Sequence, residues 1–174
     1  MFLQTSKEVV VFVVQQLAPK KIYLARMARN KLGKDILNGF GGKVELNEGY
    51  RDACLREFAQ ENMQKAWLRF SDLRPRALVN FRKSDRAIKD PPNRSLAIYT
   101  VSTYCGTLTD SDEMVDGNWY ANIPYERMLP TDGLILPKVF SNEPHRFSVN
   151  IFFDAEGRVE KSEFFDGDYA CSGI

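Results

Sequence analysis

Residues 38 to 61 read NGFGGKVELNEGYRDACLREFAQE, and the residue types in that stretch could do chemistry together. Gly39, Gly41 and Gly42 let a backbone turn sharply and bring main-chain amides and carbonyls close to a ligand. Beyond them the chain carries no Pro, and Leu55, Phe58 and Ala59 recur at helical spacing, which predicts a helix over about residues 49–64. At 100° per residue Glu57, Gln60 and Glu61 fall within roughly 100° of arc, away from those apolar positions. Like charges four apart on a helix repel by a few tenths of a kcal/mol, so a positive partner is expected on that face. Mg²⁺ is the natural candidate, because it takes a few carboxylate oxygens together with water and substrate phosphates.

Two other phosphate-binding readings fail on spacing. GGK ends a glycine-rich turn, but Val44 stands where a P-loop needs its metal-binding hydroxyl. Val44 also occupies the third glycine position of a dinucleotide-binding Gly-x-Gly-x-x-Gly.

The elements that must position these groups can be read along the 174 residues, whose 44% hydrophobic and 27% charged content fits one globular domain, 1–174. Twenty-four basic against 23 acidic residues leave a formal charge of +1, with no global field to draw the protein onto bulk nucleic acid or a membrane surface. VVVFVV, residues 9–14, is too short to span a membrane and lacks a cleavage signature. Cys54, Cys105 and Cys171 are odd in number and far apart, which fits reduced thiols and a cytoplasmic location rather than a zinc site. EVVVFVV and KIYLARM form two strands around a short PKK turn, and RALVNF and SLAIYTVSTYCG two more. SDEMVDGNWYANI carries a turn and a strand, PYERMLPTDGLILPKVF a short helix, a loop and a second helix. FSVNIFFD and RVEKSEFF flank Ala155–Gly157 as a hairpin. The polar segment 82–94, with its Pro pair, is expected to be a mobile loop and a candidate lid over phosphates, and 166–174 a frayed tail. Strands interleaved with two or three helices make a mixed α/β sandwich.

Gly42, five residues, Glu48, seven residues, and then Arg56-Glu57-Phe58-Ala59-Gln60-Glu61 resemble the Nudix box. NGFGGKV, the later SDEM, the Met128–Asp132 run MLPTD and the C-terminal hairpin are similar, in the same order, to the MutT-homologue branch that hydrolyses oxidised-purine nucleoside triphosphates. The resemblance implies a Nudix α/β/α sandwich with a mixed β-sheet and a catalytic loop-helix. It also implies a Mg²⁺- or Mn²⁺-dependent hydrolase that releases nucleoside monophosphate and pyrophosphate from nucleotides such as 8-oxo-dGTP, with no obligatory protein partner. Carried over residue by residue, Glu57 and Glu61 hold the metal, and Gln60, the Gly42 carbonyl and Glu113 of SDEM complete its shell. Arg56 and Glu48 are supports, and Lys43 meets a phosphate. Asn38 and Asp132 read the base, beside Leu129 and Thr131.

The chain departs from the family pattern at named positions. Gln60 replaces the first of two adjacent glutamates and brings no charge, so metal affinity is expected to fall. Met63 and Gln64 replace the closing Gly and aliphatic residue; Met63 resists the left-handed helix end that Gly allows, so the helix is expected to run on toward Lys65. Leu129 and Thr131 replace a Trp and the first of two Asp, which removes a protonated carboxyl from base recognition. Two alternatives follow: the same chemistry on another nucleoside diphosphate derivative, such as a nucleotide sugar or dinucleoside polyphosphate, or a catalytically weakened nucleotide-binding protein. Asn38 and Asp132 also suit plain turn positions. His145 reads as surface structure, and Trp119 and Tyr120 as core.

Overall fold

Val9, Val11 and Val13 point to one side of their strand and Val10, Phe12 and Val14 to the other, and all six are buried. A strand buried on both faces needs no polar alternation, which is why VVVFVV is continuous. A computed structural model describes residues 5–16, 18, 20–28, 35–83, 90–141 and 146–167. Its strands are β1 (Ser6–Gln15), β2 (Lys21–Met27), β3 (Leu37–Asn38), β4 (Phe40–Lys43), β5 (Ala66–Trp67), β6 (Arg74–Lys83), β7 (Arg94–Val101), β8 (Cys105–Gly106), β9 (Met114–Tyr120), β10 (Phe147–Phe153) and β11 (Val159–Asp166). The helices are α1 (Tyr50–Glu61) and α2 (Asp132–Val139), with 3₁₀ turns at Phe70–Asp72 and Tyr125–Arg127.

The main sheet runs β11-β10-β6-β7-β1-β2-β3, with β4 also on β1 and β9 also on β2. It is mixed: β1 with β7 and β6 with β10 are parallel, and the other pairs antiparallel. Ala53, Cys54 and Phe58 of α1 pack on the Val9, Val11 and Val13 face. Ile135, Leu136 and Val139 of α2 pack on the Val10, Phe12 and Val14 face. The result is the expected α/β/α sandwich, with the β1–β2 and β10–β11 hairpins and the second helix where the pattern put them.

Four expectations need correction. First, α1 stops at Glu61 and does not run on: Met63 and Gln64 both take left-handed backbone, at φ 53° and 59°. The cause is Asn62, which is fully buried and tied at both ends of its amide. Its Nδ2 donates to the Phe58 carbonyl at 2.8 Å, and its Oδ1 accepts the Thr109 N–H at 3.0 Å. The chain then closes over itself, the Gln64 N–H donating to the Ala59 carbonyl at 2.8 Å.

Second, the polar segment between β6 and β7 is shorter than 82–94, because Arg82 and Lys83 belong to β6 and Arg94 to β7. Arg82 is buried and donates to Asn150 Oδ1 at 3.2 Å and to the Asp90 carbonyl at 2.5 Å. Third, Asp166 ends β11 and pairs with Lys138 at 2.7 Å, so it is not part of a frayed tail. Residues 84–89, 168–174 with Cys171, and His145 lie outside the described residues. The strand-like SLAIYTVSTYCG is likewise two pieces, β7 and the β8 segment that pairs with β5.

Met63 is exposed, so its side chain contributes little packing while its Cβ strains a left-handed backbone. Met63→Gly is therefore expected to stabilise the fold by about 1 kcal/mol. In a chain of this length, thermal unfolding should show a rise of roughly 2–4 °C.

Candidate active site

A Cβ at Gly41 would lie 2.1 Å from the Val9 carbonyl oxygen, and one at Gly42 would lie 2.4 Å from Glu57 Oε1. None of Gly39, Gly41 and Gly42 has a positive φ. Close approach, rather than a sharp turn, is what requires glycine here. Through β4 the glycines bring backbone against β1 on one side and against the carboxylates of α1 on the other.

Those carboxylates differ. Glu57 is bonded to Arg56 Nη1 at 2.7 Å, and Arg56 spends its other donors on Glu48, at 2.8 Å twice, on the Lys43 carbonyl at 2.8 Å and on Gln60 Oε1 at 3.1 Å. Glu61 instead is only 6% exposed, whereas Gln60 is exposed. It accepts the Gly41 N–H at 2.7 Å, and no described cation pairs with it. Burial pushes its carboxyl up to about 8; the Gly41 N–H works against the shift, and Glu57 and Glu113 add to it.

Glu57, Gln60, Glu61 and Met63 share a cleft with Ser111, Asp112 and Glu113. Ser111 Oγ accepts the Glu113 and Met114 N–H groups at 3.3 and 3.1 Å, which holds this second wall. Asp112 was not singled out in the sequence; its only signal is its place beside Glu113 in SDEM. Among the described residues no three His, Cys, Asp or Glu side chains already stand as a metal-holding group, and Glu57 is bonded to Arg56. The donor types nonetheless suit Mg²⁺ or Mn²⁺, being carboxylate oxygens with one amide oxygen, and buried Glu61 lacks the positive partner such an ion would provide.

On the other side of β4 lies a cavity of about 350 Å³. Asn38, Leu129, Thr131 and Asp132 line it together, as do Gly41 and Gly42. Asn38 Oδ1 accepts the Gly39 N–H at 2.8 Å, and Asp132 Oδ2 accepts the Leu129 N–H at 2.9 Å. Each residue therefore both orders a turn and faces the cavity. Burial raises the Asp132 carboxyl to about 6, against the Leu129 N–H and the Arg94 charge. Lys43 lines neither space: its exposed side chain borders a separate depression with Lys7 and Glu45. Glu8 and Arg94 also line the cavity. Their signal was positional, since Glu8 heads the row Val10, Phe12, Val14 and Arg94 heads the row Leu96, Ile98.

No protein-family model matches the chain. Its structure does match solved ones. A MutT protein from Bacillus halodurans superposes with a TM-score of 0.64 over 91% of this chain and 97% of that one, at 14% identity. A MutT Nudix hydrolase from Burkholderia pseudomallei gives 0.59 over 78% and 98%, at 17% identity. The chain has the MutT/Nudix hydrolase fold. A further match is a bifunctional NMN adenylyltransferase/ADP ribose pyrophosphatase from Francisella tularensis, complexed with AMP and a Mn ion. Its TM-score is 0.52 at 19% identity, over 77% of this chain and 40% of that one. In the Nudix fold of this chain the box-like segment runs from β4 through the loop to the end of α1, so its glycines and acids face each other. No helix of the described residues is long and apolar enough to cross a membrane.

Glu61 keeps its proton to about pH 8 when folded but only to 4.5 at its ordinary value. Between those values the folded state holds the extra proton, so without divalent cations stability is greatest below pH 4.5 as far as this group decides it, and falls as pH rises. The slope is at most about 1.4 kcal/mol per pH unit. Glu61→Gln keeps an acceptor for the Gly41 N–H and is expected to flatten that slope, as read from urea midpoints across the pH range.

Proposed function

We propose that this protein is a Mg²⁺- or Mn²⁺-dependent nucleoside triphosphate pyrophosphohydrolase, cytoplasmic and without an obligatory protein partner. It releases nucleoside monophosphate and pyrophosphate, with oxidised purine nucleotides such as 8-oxo-dGTP as substrates. The observation that carries this reading is a shared wall: Gly41 and Gly42 line the base-sized cavity, while the Gly41 N–H holds Glu61 and Gly42 backs onto Glu57. A nucleotide whose base sits beside Asn38 and Asp132 runs its phosphates over these glycines toward the acids.

Glu57, Gln60, Glu61, Glu113 and the Gly42 carbonyl are the ligands in this reading. When bound there, the cation would neutralise phosphoryl charge and lower the pKa of its water. Arg56 fixes Glu57, and Glu48 fixes Arg56 from the other side. A carboxylate of the cleft takes the proton of the attacking water. The choice of cation is supported by the Mn ion of the Francisella complex. Leu129 and Thr131 in the cavity wall favour a second reading, the same chemistry on another nucleoside diphosphate derivative.

Pyrophosphate and monophosphate release should be measured over normal and oxidised purine triphosphates with Mg²⁺, for wild type and Glu57→Gln. Release by the wild type is expected, lowered at least about a hundredfold in the variant. Cleavage of nucleotide sugars or dinucleoside polyphosphates alone would establish the second reading. No cleavage of any nucleotide, with no metal-dependent change in melting temperature, would reduce the protein to a nucleotide binder.

A further inference from the structure

The base cavity contains an ion pair that the packing of the strands does not require. Arg94 opens β7 opposite Phe81 of β6, and its guanidinium lies over the Phe81 ring, 4.0 Å from the centroid. Glu8 of β1 is in register with Leu96, two residues along from Arg94 on the face that lines the cavity. Arg94 Nη1 and Glu8 Oε2 are 3.6 Å apart, an ion pair too long for a hydrogen bond. Among the described residues the Arg94 guanidinium donates no hydrogen bond, and both side chains are partly exposed, at 42% and 25%. A fork of donors and an adjacent acceptor are thus held side by side at the cavity without a hydrogen bond between them.

That arrangement has a chemical complement. An unmodified guanine presents two acceptors on its N7 and O6 edge. In an 8-oxopurine, C8 carries a carbonyl oxygen and N7 carries a hydrogen, so an acceptor and a donor become neighbours. We infer that Arg94 and Glu8 are specificity-determining residues that recognise an 8-oxopurine nucleotide, Arg94 donating to the 8-oxo oxygen and Glu8 accepting the N7–H. With unmodified guanine, Glu8 faces a lone pair and repels it; with the oxidised base both groups are satisfied. The inference rests on the cavity being a nucleotide-base site, and it assigns discrimination to groups other than the Asp that Thr131 replaces. Asn38 and Asp132 remain for the rest of the base.

The test is titration calorimetry of 8-oxo-dGMP and dGMP into the full chain, without metal, for wild type, Arg94→Leu and Glu8→Leu. The wild type is expected to prefer 8-oxo-dGMP by about tenfold or more, and each variant to bring the ratio below about threefold. Arg94→Lys, which keeps the charge without the planar fork, is expected to retain part of the preference, separating recognition from lost folding. Equal binding of the two monophosphates by wild type, no binding of either, or a preference that survives both leucine variants would overturn the inference. Failure of pyrophosphate release with the preference intact would sink the catalytic reading alone.

Discussion

A β-carbon at Gly41 would sit 2.1 Å from a backbone oxygen of β1, and neither backbone can yield without breaking the β1–β4 ladder. The next residue faces a different neighbour: a Cβ at Gly42 would meet the tip of the Glu57 side chain. One requirement is thus set by the sheet and the other by the acids, and β4 satisfies both only while its residues lack side chains. Because the strand lies so close, the Gly41 N–H reaches Glu61, a carboxylate that is only 6% exposed. The same two glycines form part of the cavity wall on the other side.

The end of α1 is fixed by a second constraint, and it also sets the opposite wall of the cleft. Asn62 is buried between the Phe58 carbonyl and the Thr109 N–H. Thr109 begins the segment that reaches Glu113, and the Asp110 carboxylate then accepts the Asp116 and Gly117 N–H groups at 3.0 and 3.1 Å. The Glu113 carbonyl in turn accepts the Ala28 N–H at 2.8 Å. Leaving both ends of a buried amide unbonded would cost about 2–6 kcal/mol, which matches or exceeds the roughly 2–4 kcal/mol that left-handed Met63 and Gln64 together cost. The strain is therefore tolerated, and α1 cannot drift relative to Glu113.

Local pattern carried much of this. Continuous valines predicted a doubly buried strand, and alternation predicted the β10–β11 hairpin. The resemblance placed Asn38, Leu129, Thr131 and Asp132 together, and they line one cavity although they lie nearly a hundred residues apart. What escaped was decided by partners distant in sequence. The left-handed Met63 follows from Thr109, forty-odd residues away, and helical spacing could not report it. Glu61 was placed with Glu57 and Gln60 on one cation-seeking face, and they do line one cleft, but a helical wheel knows angles and not what covers them: Glu61 is buried and bonded to the Gly41 N–H of β4. Glu8 and Arg94 were hidden because each looks like an ordinary polar strand end until β1 and β7 are set parallel.

The weight of the Gln60 departure can be judged from the same geometry. Gln60 is exposed, and its oxygen shares Arg56 Nη1 with Glu57. A carboxylate there would be screened by solvent, so the attraction it would add for a cation, and the repulsion it would add without one, are each below about 1 kcal/mol. A like-charged pair 6 Å apart at an effective dielectric of 20 repels by about 3 kcal/mol, and burial adds desolvation to that. Glu61 is the buried acid of this cleft, raised first by burial and then by Glu57 and Glu113. Arg56 cannot relieve it, since its donors are committed to Glu48, Glu57, Gln60 and the Lys43 carbonyl. The electrostatics of the cleft are therefore governed by its one buried acid, and exchanging Glu for Gln at the solvent-facing position leaves that balance nearly intact.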